Sequence, residues 1–206
     1  MTIASTPMNN SKKTQQLTAK FLFFLGCYFA FHIALRVFIS DSLDYDEAEQ
    51  ALLGQWLQAG YTEQPPLYTW VQYLLFRIFG ESVFAVSLLK NSLLFMTYLF
   101  IFLSGQEIFK DTRLAVLATC SLLLIPQIGW ESQRDMTHTT LAVCAASASF
   151  WQAFCLVKRQ DLIRYCVFGL LISIGILGKA NFALFVAALL LAMISFPEGR
   201  KVVFSF

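Results

Sequence analysis

Long apolar stretches recur along this chain, and they constrain its fold more than any other feature. They cover roughly 21–39, 83–104, 114–130, 137–157, 165–178 and 181–196. The first four are close to the ~20 residues that a helix needs to cross a bilayer core. Backbone groups in lipid must be satisfied within the segment, so helices are expected throughout. The last two runs flank "GKAN", Gly178 to Asn181. Two short spans are expected there rather than one bent span, because a lysine in mid-bilayer costs about 2.5–3.5 kcal/mol. The expectation is an all-α, polytopic membrane protein with about six transmembrane helices.

Composition excludes the main alternatives. Of 206 residues 21 are Phe, 57% are hydrophobic and only 14% are charged, which no ordinary soluble domain requires. A net charge of +2, without a basic run or zinc-ligand spacing, argues against a nucleic-acid partner. The five cysteines (Cys27, Cys120, Cys144, Cys155 and Cys166) all lie in apolar stretches without a CxxC pair, so they read as small apolar residues. The first run follows a polar tail carrying Lys12, Lys13 and Lys20, and no small-residue cleavage site follows it. It is expected to be a retained span behind an unstructured cytoplasmic lead-in over 1–20, with 21–206 forming the transmembrane domain. Lys110, Arg113, Lys158, Arg159, Arg164, Arg200 and Lys201 fall in alternate loops, as the positive-inside pattern requires if the N-terminus is cytoplasmic. In a bacterium the other face would be periplasmic, and the membrane the inner one.

That other face carries the longest loop, 40–82. Ala48, Ala51, Leu52, Trp56 and Ala59 recur at helical spacing, which predicts an amphipathic helix over 46–59, lying on the membrane and ended by Gly60. Pro65 and Pro66 suit the start of a second one, with Leu67, Trp70, Val71, Leu74, Leu75 and Ile78 on one stripe.

Three places carry candidate chemistry. "LDYDEAEQALL" holds Asp44, Asp46, Glu47 and Glu49 beside the first span. Carboxylates in a first helical turn are favoured by the macrodipole, which is one reading. The other is a general base or ligand at the membrane edge, where scarce water raises a carboxylate towards working pH. Asp46 and Glu47 are neighbours and diverge by about 100° on a helix, so they suit two different roles. Lys179 reads either as a snorkelling turn lysine or as an anchor for a lipid phosphate. "WESQRDMTHTT" brings Glu131, Arg134, Asp135 and His138 to the start of the fourth span, where the last two are three apart and share a helical face, as a salt bridge, a cap or part of a site. Lys90 and Asn91 inside the second span receive no chemistry.

The order of these motifs resembles a known family: an acidic "DE" in the first outer loop, then "QPPLYTWVQYLLFRIFGES", "SQRDMTHTTL" and "LGKANFALFVAALLL". Over about 40–195 the chain is similar to membrane glycosyltransferases of the GT-C class, in the protein O-mannosyltransferase and aminoarabinose-transferase superfamily. The family's lysine before "PP" is Gln64 here, and its "TKGP"-like turn is "GKAN". The resemblance implies a polyprenyl-phosphate-linked sugar donor, and a glycan, lipid or protein acceptor on the outer face, with lipopolysaccharide as one candidate. It implies Asp46, with Glu47 beside it, as the catalytic position. The later acidic position maps to Asp135 or, in the other alignment, to His138. Lys179 and Arg134 would bind the donor phosphate, and Tyr68 of "PPLY" would belong to the same substrate site. No cofactor is required by this scheme, and a divalent cation is compatible with it. The family's chains continue through more spans, so this one looks like an N-terminal part. The competing expectation is a non-catalytic polyprenyl-phosphate binder or flippase-like subunit.

Overall fold

A computed structural model describes residues 7–61 and 64–204, and among these it contains helices and no strand. The helices are α1 (Pro7–Ile39), α2 (Tyr45–Leu53), α3 (Leu67–Phe79), α4 (Val83–Phe109), α5 (Thr112–Cys120), α6 (Ser132–Arg134), α7 (His138–Lys158), α8 (Leu162–Gly178), α9 (Phe182–Ile194) and α10 (Pro197–Phe204). The all-α expectation therefore holds.

Among the described residues three helices are long and apolar enough to cross a membrane: Lys12–Ile39, Val83–Phe109 and His138–Lys158. The count is five if each of two bent pairs is one span, and α8 is a shorter apolar helix of 17 residues. The expected straight span over 114–130 is one of these bent pairs. After α5 the chain tightens into a 3₁₀ turn (Ser121–Leu124), turns by 80°, and continues through a π-helical turn (Gln127–Glu131). Pro126 explains the break: it lacks an N–H, and it pushes Ile125 into an extended backbone at φ −89°, ψ 109°.

Two other expectations are corrected. Residues 7–20, expected to be unstructured, continue α1 as a helix; the stretch contains no glycine or internal proline to stop helical propagation from the span. The helix expected over 46–59 ends at Leu53, not at Gly60. Gly54 is the stop. A Cβ there would lie 2.7 Å from the Gln50 carbonyl oxygen and 2.9 Å from the Phe76 ring, so only glycine lets α2 turn away against α3.

α4 is the central post, packing against α1, α3, α5 and α7, with α8 on the far side of α7. Its start is capped by the Ser82 hydroxyl, which accepts from the Ala85 N–H at 3.3 Å. Small apolar clusters pin it: Phe21, Phe102 and Ala115 at one end, Leu25, Phe29, Leu94 and Tyr98 midway, and Tyr68, Leu89 and Leu141 towards the other end. Helix association in lipid relies on close packing and polar contacts rather than on expelling water. Gly105 shows the packing term, since a Cβ there would come within 3.2 Å of the Ala115 Cα and Cβ. Gly105→Leu is therefore expected to wedge α4 from α5 and to cost about 1–3 kcal/mol. The check is a lowered thermal unfolding midpoint in detergent, with Gly169→Leu, where a Cβ meets nothing within 4 Å, as the control.

Candidate active site

The first-loop helix α2 is turned inside out. Its apolar residues face outward, with Leu52 and the following Trp56 exposed, while Glu47 and Gln50 are fully buried. In α3 likewise Leu74 and Ile78 are exposed, and Tyr68, Thr69 and Gln72 are buried. Burying polar groups without partners is costly; the Gln72 amide has none among the described residues, whereas Glu47, Gln50 and Thr69 do, and those partners define the site.

Glu47 has two cations. Its Oε2 accepts from Arg36 Nη2 of α1 at 2.6 Å, and its Oε1 accepts from Lys90 Nζ of α4. Lys90 is 0% exposed and also donates to the Arg134 carbonyl at 3.2 Å. Arg36 further donates to the carbonyls of Ser40 and Ser42, at 2.8 and 2.6 Å, closing the connection into α2. One carboxylate thus ties α1, α2, α4 and the segment before α7 together.

Gln50, one turn on, joins a second chain of hydrogen bonds. The Thr69 hydroxyl donates to Gln50 Oε1 at 2.8 Å, Gln50 Nε2 meets His138 Nε2 at 3.0 Å, and His138 Nδ1 meets the Gly178 carbonyl at 3.2 Å. A carbonyl only accepts, so Nδ1 carries the proton and Nε2 accepts from Gln50, assigning one neutral tautomer. Both ring nitrogens are then occupied within the protein. The Tyr68 ring lies 5.2 Å from the imidazole. Burial, with Glu47 and Asp46 nearby, pushes the Tyr68 phenol above its ordinary pKa, so it stays neutral. Its hydroxyl has no partner among the described residues.

Asp46 stands apart from both networks. It is half-buried, and its carboxylate has no hydrogen-bond or ion-pair partner among the described residues. Its backbone N–H donates to Asp135 Oδ1 at 2.8 Å. Asp135 is therefore a bracket for the Asp46 backbone. It does not share a helical face with His138: α6 ends at Arg134, and Asp135 has left helical geometry at φ −129°, ψ −55°. Arg134 is exposed, with Nε 3.6 Å from Asp44. Asp44 precedes α2 without capping it by its side chain. Lys179, in extended backbone between α8 and α9, donates to the Thr139 hydroxyl at 2.6 Å. Lys179 and Asp46 both lie within electrostatic reach of His138.

The structure thus brings Asp46, Glu47, Asp135, His138, Tyr68 and Lys179 to one end of the bundle. It adds Arg36, Lys90 and Gln50, which sequence reasoning missed. For Lys90 a signal existed: an ammonium inside a span demands a buried counter-charge. Among the described residues no group of three or more His, Cys, Asp or Glu side chains is placed to hold a metal ion.

Residues 63–205 match the family model described as dolichyl-phosphate-mannose-protein mannosyltransferase. The chain belongs to this family. It is 43% identical over 180 residues to a lipopolysaccharide core galacturonosyltransferase of Rhizobium johnstonii, covering 87% of this chain and 36% of that protein. A second galacturonosyltransferase of the same organism is 40% identical, over 86% of this chain and 36% of its own length. An undecaprenyl phosphate-α-4-amino-4-deoxy-L-arabinose arabinosyl transferase of Proteus mirabilis is 28% identical, over 87% of this chain and 35% of its own length. The chain spans about a third of the length of the curated relatives it matches. No solved structure matches it.

Removing one member of a buried ion pair costs more than the pair contributes, about 3–5 kcal/mol, because a charge is stranded. Glu47→Gln leaves the Lys90 ammonium buried without its counter-charge and is expected to lower the unfolding midpoint in detergent sharply. Adding Lys90→Met should recover part of the loss, giving a non-additive double-mutant cycle. Additive losses would mean that the two side chains do not interact.

Proposed function

We propose that this chain handles the donor in a glycosyltransferase that moves a sugar from a polyprenyl phosphate to lipopolysaccharide or a related envelope glycan. The reaction would take place at the outer face of a bacterial inner membrane, with the N-terminus of α1 in the cytoplasm. The observation that carries this reading is the division of labour between two neighbouring carboxylates. Glu47 has both oxygens committed to cations, and Asp46 keeps its carboxylate uncommitted at the same end of the bundle. The family membership and the names of the relatives support the donor and acceptor classes.

On this reading Asp46 is the general base. The acceptor hydroxyl gives its proton to Asp46, and its oxygen attacks the anomeric carbon. The bond from that carbon to the phosphate oxygen breaks, and polyprenyl phosphate leaves with the electron pair. Lys179 holds one hydrogen bond to Thr139 and has two N–H groups left for the phosphate. Arg134 at the rim adds a planar donor fork suited to the same group. Asp135 positions the base through its backbone, and Glu47 positions α2. Tyr68, fully buried beside His138, keeps a neutral hydroxyl without a partner among the described residues and is assigned to the same site. His138, with both nitrogens occupied, holds α7 to α2 and to the "GKAN" turn, bringing Thr139 and Lys179 together.

The test is transfer from a polyprenyl-phosphate sugar in membranes carrying the native protein. Asp46→Asn should reduce turnover by roughly 10²–10⁴, with the amount of inserted protein unchanged. Glu47→Gln should instead lower the inserted amount. Retained transfer in Asp46→Asn would remove Asp46 from the mechanism. Donor binding that needs Lys179, without any sugar released by the native protein, would favour a non-catalytic carrier-binding subunit.

A further inference from the structure

The opposite end of the bundle holds a cleft of about 610 Å³ between the N-terminal part of α1 and the α4–α5 turn. Its lining includes Lys13, Lys20, Lys110 and Arg113 against a single carboxylate, Asp111. That carboxylate is already used: it caps α5 by accepting from the Arg113 N–H at 2.7 Å. Lys110 pairs with Glu107 at 2.9 Å, and Glu107 also takes Lys158. Lys13, Lys20 and Arg113 make no ion pair among the described residues. Lys13 and Lys20 are seven residues apart, two turns of α1, and so point the same way. Lys110 sits in left-handed backbone, at φ 53°, which reverses the chain between α4 and α5 and closes one side of the cleft.

Depth identifies the occupant. Directly beyond Lys20 comes the buried contact of Phe21 with Phe102, ring centroids 4.9 Å apart, resting on Ala115. The cleft therefore opens where the apolar length of α1 and α4 begins, at the level of lipid headgroups. Arg36, at the carboxylate site, is sixteen residues further along α1 than Lys20, about 24 Å at 1.5 Å per residue. The two sites face different leaflets. The cleft has the size of a small-ligand pocket, three uncommitted cations, and Leu17 on its wall.

We propose that this cleft binds the phosphodiester headgroup of an anionic phospholipid from the leaflet opposite the carboxylate site. Headgroup oxygens accept from Lys13, Lys20 and Arg113, and the acyl chains run along the apolar faces of α1 and α5. This site does not depend on the glycosyl-transfer reading.

The experiment is native mass spectrometry of the detergent-purified protein, titrated with phosphatidylglycerol or with phosphatidylcholine of the same chains. Phosphatidylglycerol adducts should be preferred and should weaken as ammonium acetate is raised, because exposed charges are screened. Replacing Lys13, Lys20 and Arg113 with Gln should weaken phosphatidylglycerol binding roughly a hundredfold, taking each cation near a membrane as worth about a factor of five, and leave phosphatidylcholine unchanged. The conservative set Lys13→Arg, Lys20→Arg and Arg113→Lys should keep the preference and covers a neutral variant that fails to fold. Equal adducts from the two lipids, or an unchanged preference in the Gln variant, would overturn the proposal. Inorganic phosphate displacing the lipid at equal concentration would also overturn it, in favour of a free-anion site.

Discussion

Much of this structure depends on one buried ion pair. Lys90 sits inside α4 with no exposure, and an ammonium in that position is tolerable only with a partner. The partner is supplied by a different element, the outer helix α2, through Glu47. Once Glu47 points inward, the rotation of α2 is fixed. Its neighbour Asp46 is then turned by about 100° from it and stays out of the ion pairs, while Asp135 takes its backbone N–H. Lys90 spends a second hydrogen bond on the Arg134 carbonyl, so the same ammonium holds that segment as well. The pair need not contribute much net stability, since desolvation offsets its Coulomb attraction. Its contribution is orientation: it determines which of two adjacent carboxylates is neutralised and which is left uncommitted.

The outer helices follow from the same logic. In water an amphipathic helix turns its apolar stripe inward. Beside a membrane the apolar stripe has lipid to face, and polar groups gain by finding each other. Gln50, Thr69 and His138 do so in one chain that reaches the Gly178 carbonyl, linking α2, α3, α7 and the end of α8. Lys179 follows directly on Gly178, so the bond that holds His138 also holds the lysine beside Thr139.

This inversion explains what was legible in the sequence and what was not. The apolar runs announced α4, α7, α8 and α9 with bounds close to those observed, because length and absence of charge are local properties. The spacing of Leu52 and Trp56 also reported a real face, the exposed one expected to lie on the membrane, but it overran the end of α2 because nothing local marks Gly54 as the point where the Phe76 ring closes in. Pro126 did mark the bend between α5 and α6, and its signal was outweighed by the apolar residues around it. Asp46, Glu47, Asp135 and Lys179 were visible as charges beside apolar runs. Which of them would be neutralised was not visible, since Glu47 and Lys90 are 43 residues apart and Arg36 lies on another span.

The allocation of cations also fits the proposed chemistry. In the proposed transfer Asp46 would gain a proton and lose its charge, while the leaving phosphate would pass from a singly charged diester towards the −1.5 to −2 of a monoester. Charge therefore moves from the base to the phosphate. A cation paired with Asp46 would stabilise its ionised form, lower its basicity and oppose that movement. A cation on the phosphate assists it. Arg36 and Lys90 are both occupied by Glu47, and Lys179 is held by a neutral hydroxyl rather than by a carboxylate. Its charge is consequently undiminished for the leaving group. On the proposed reading Glu47 thus has a second consequence beyond orientation: it keeps Arg36 and Lys90 from the base and leaves Lys179 for the phosphate.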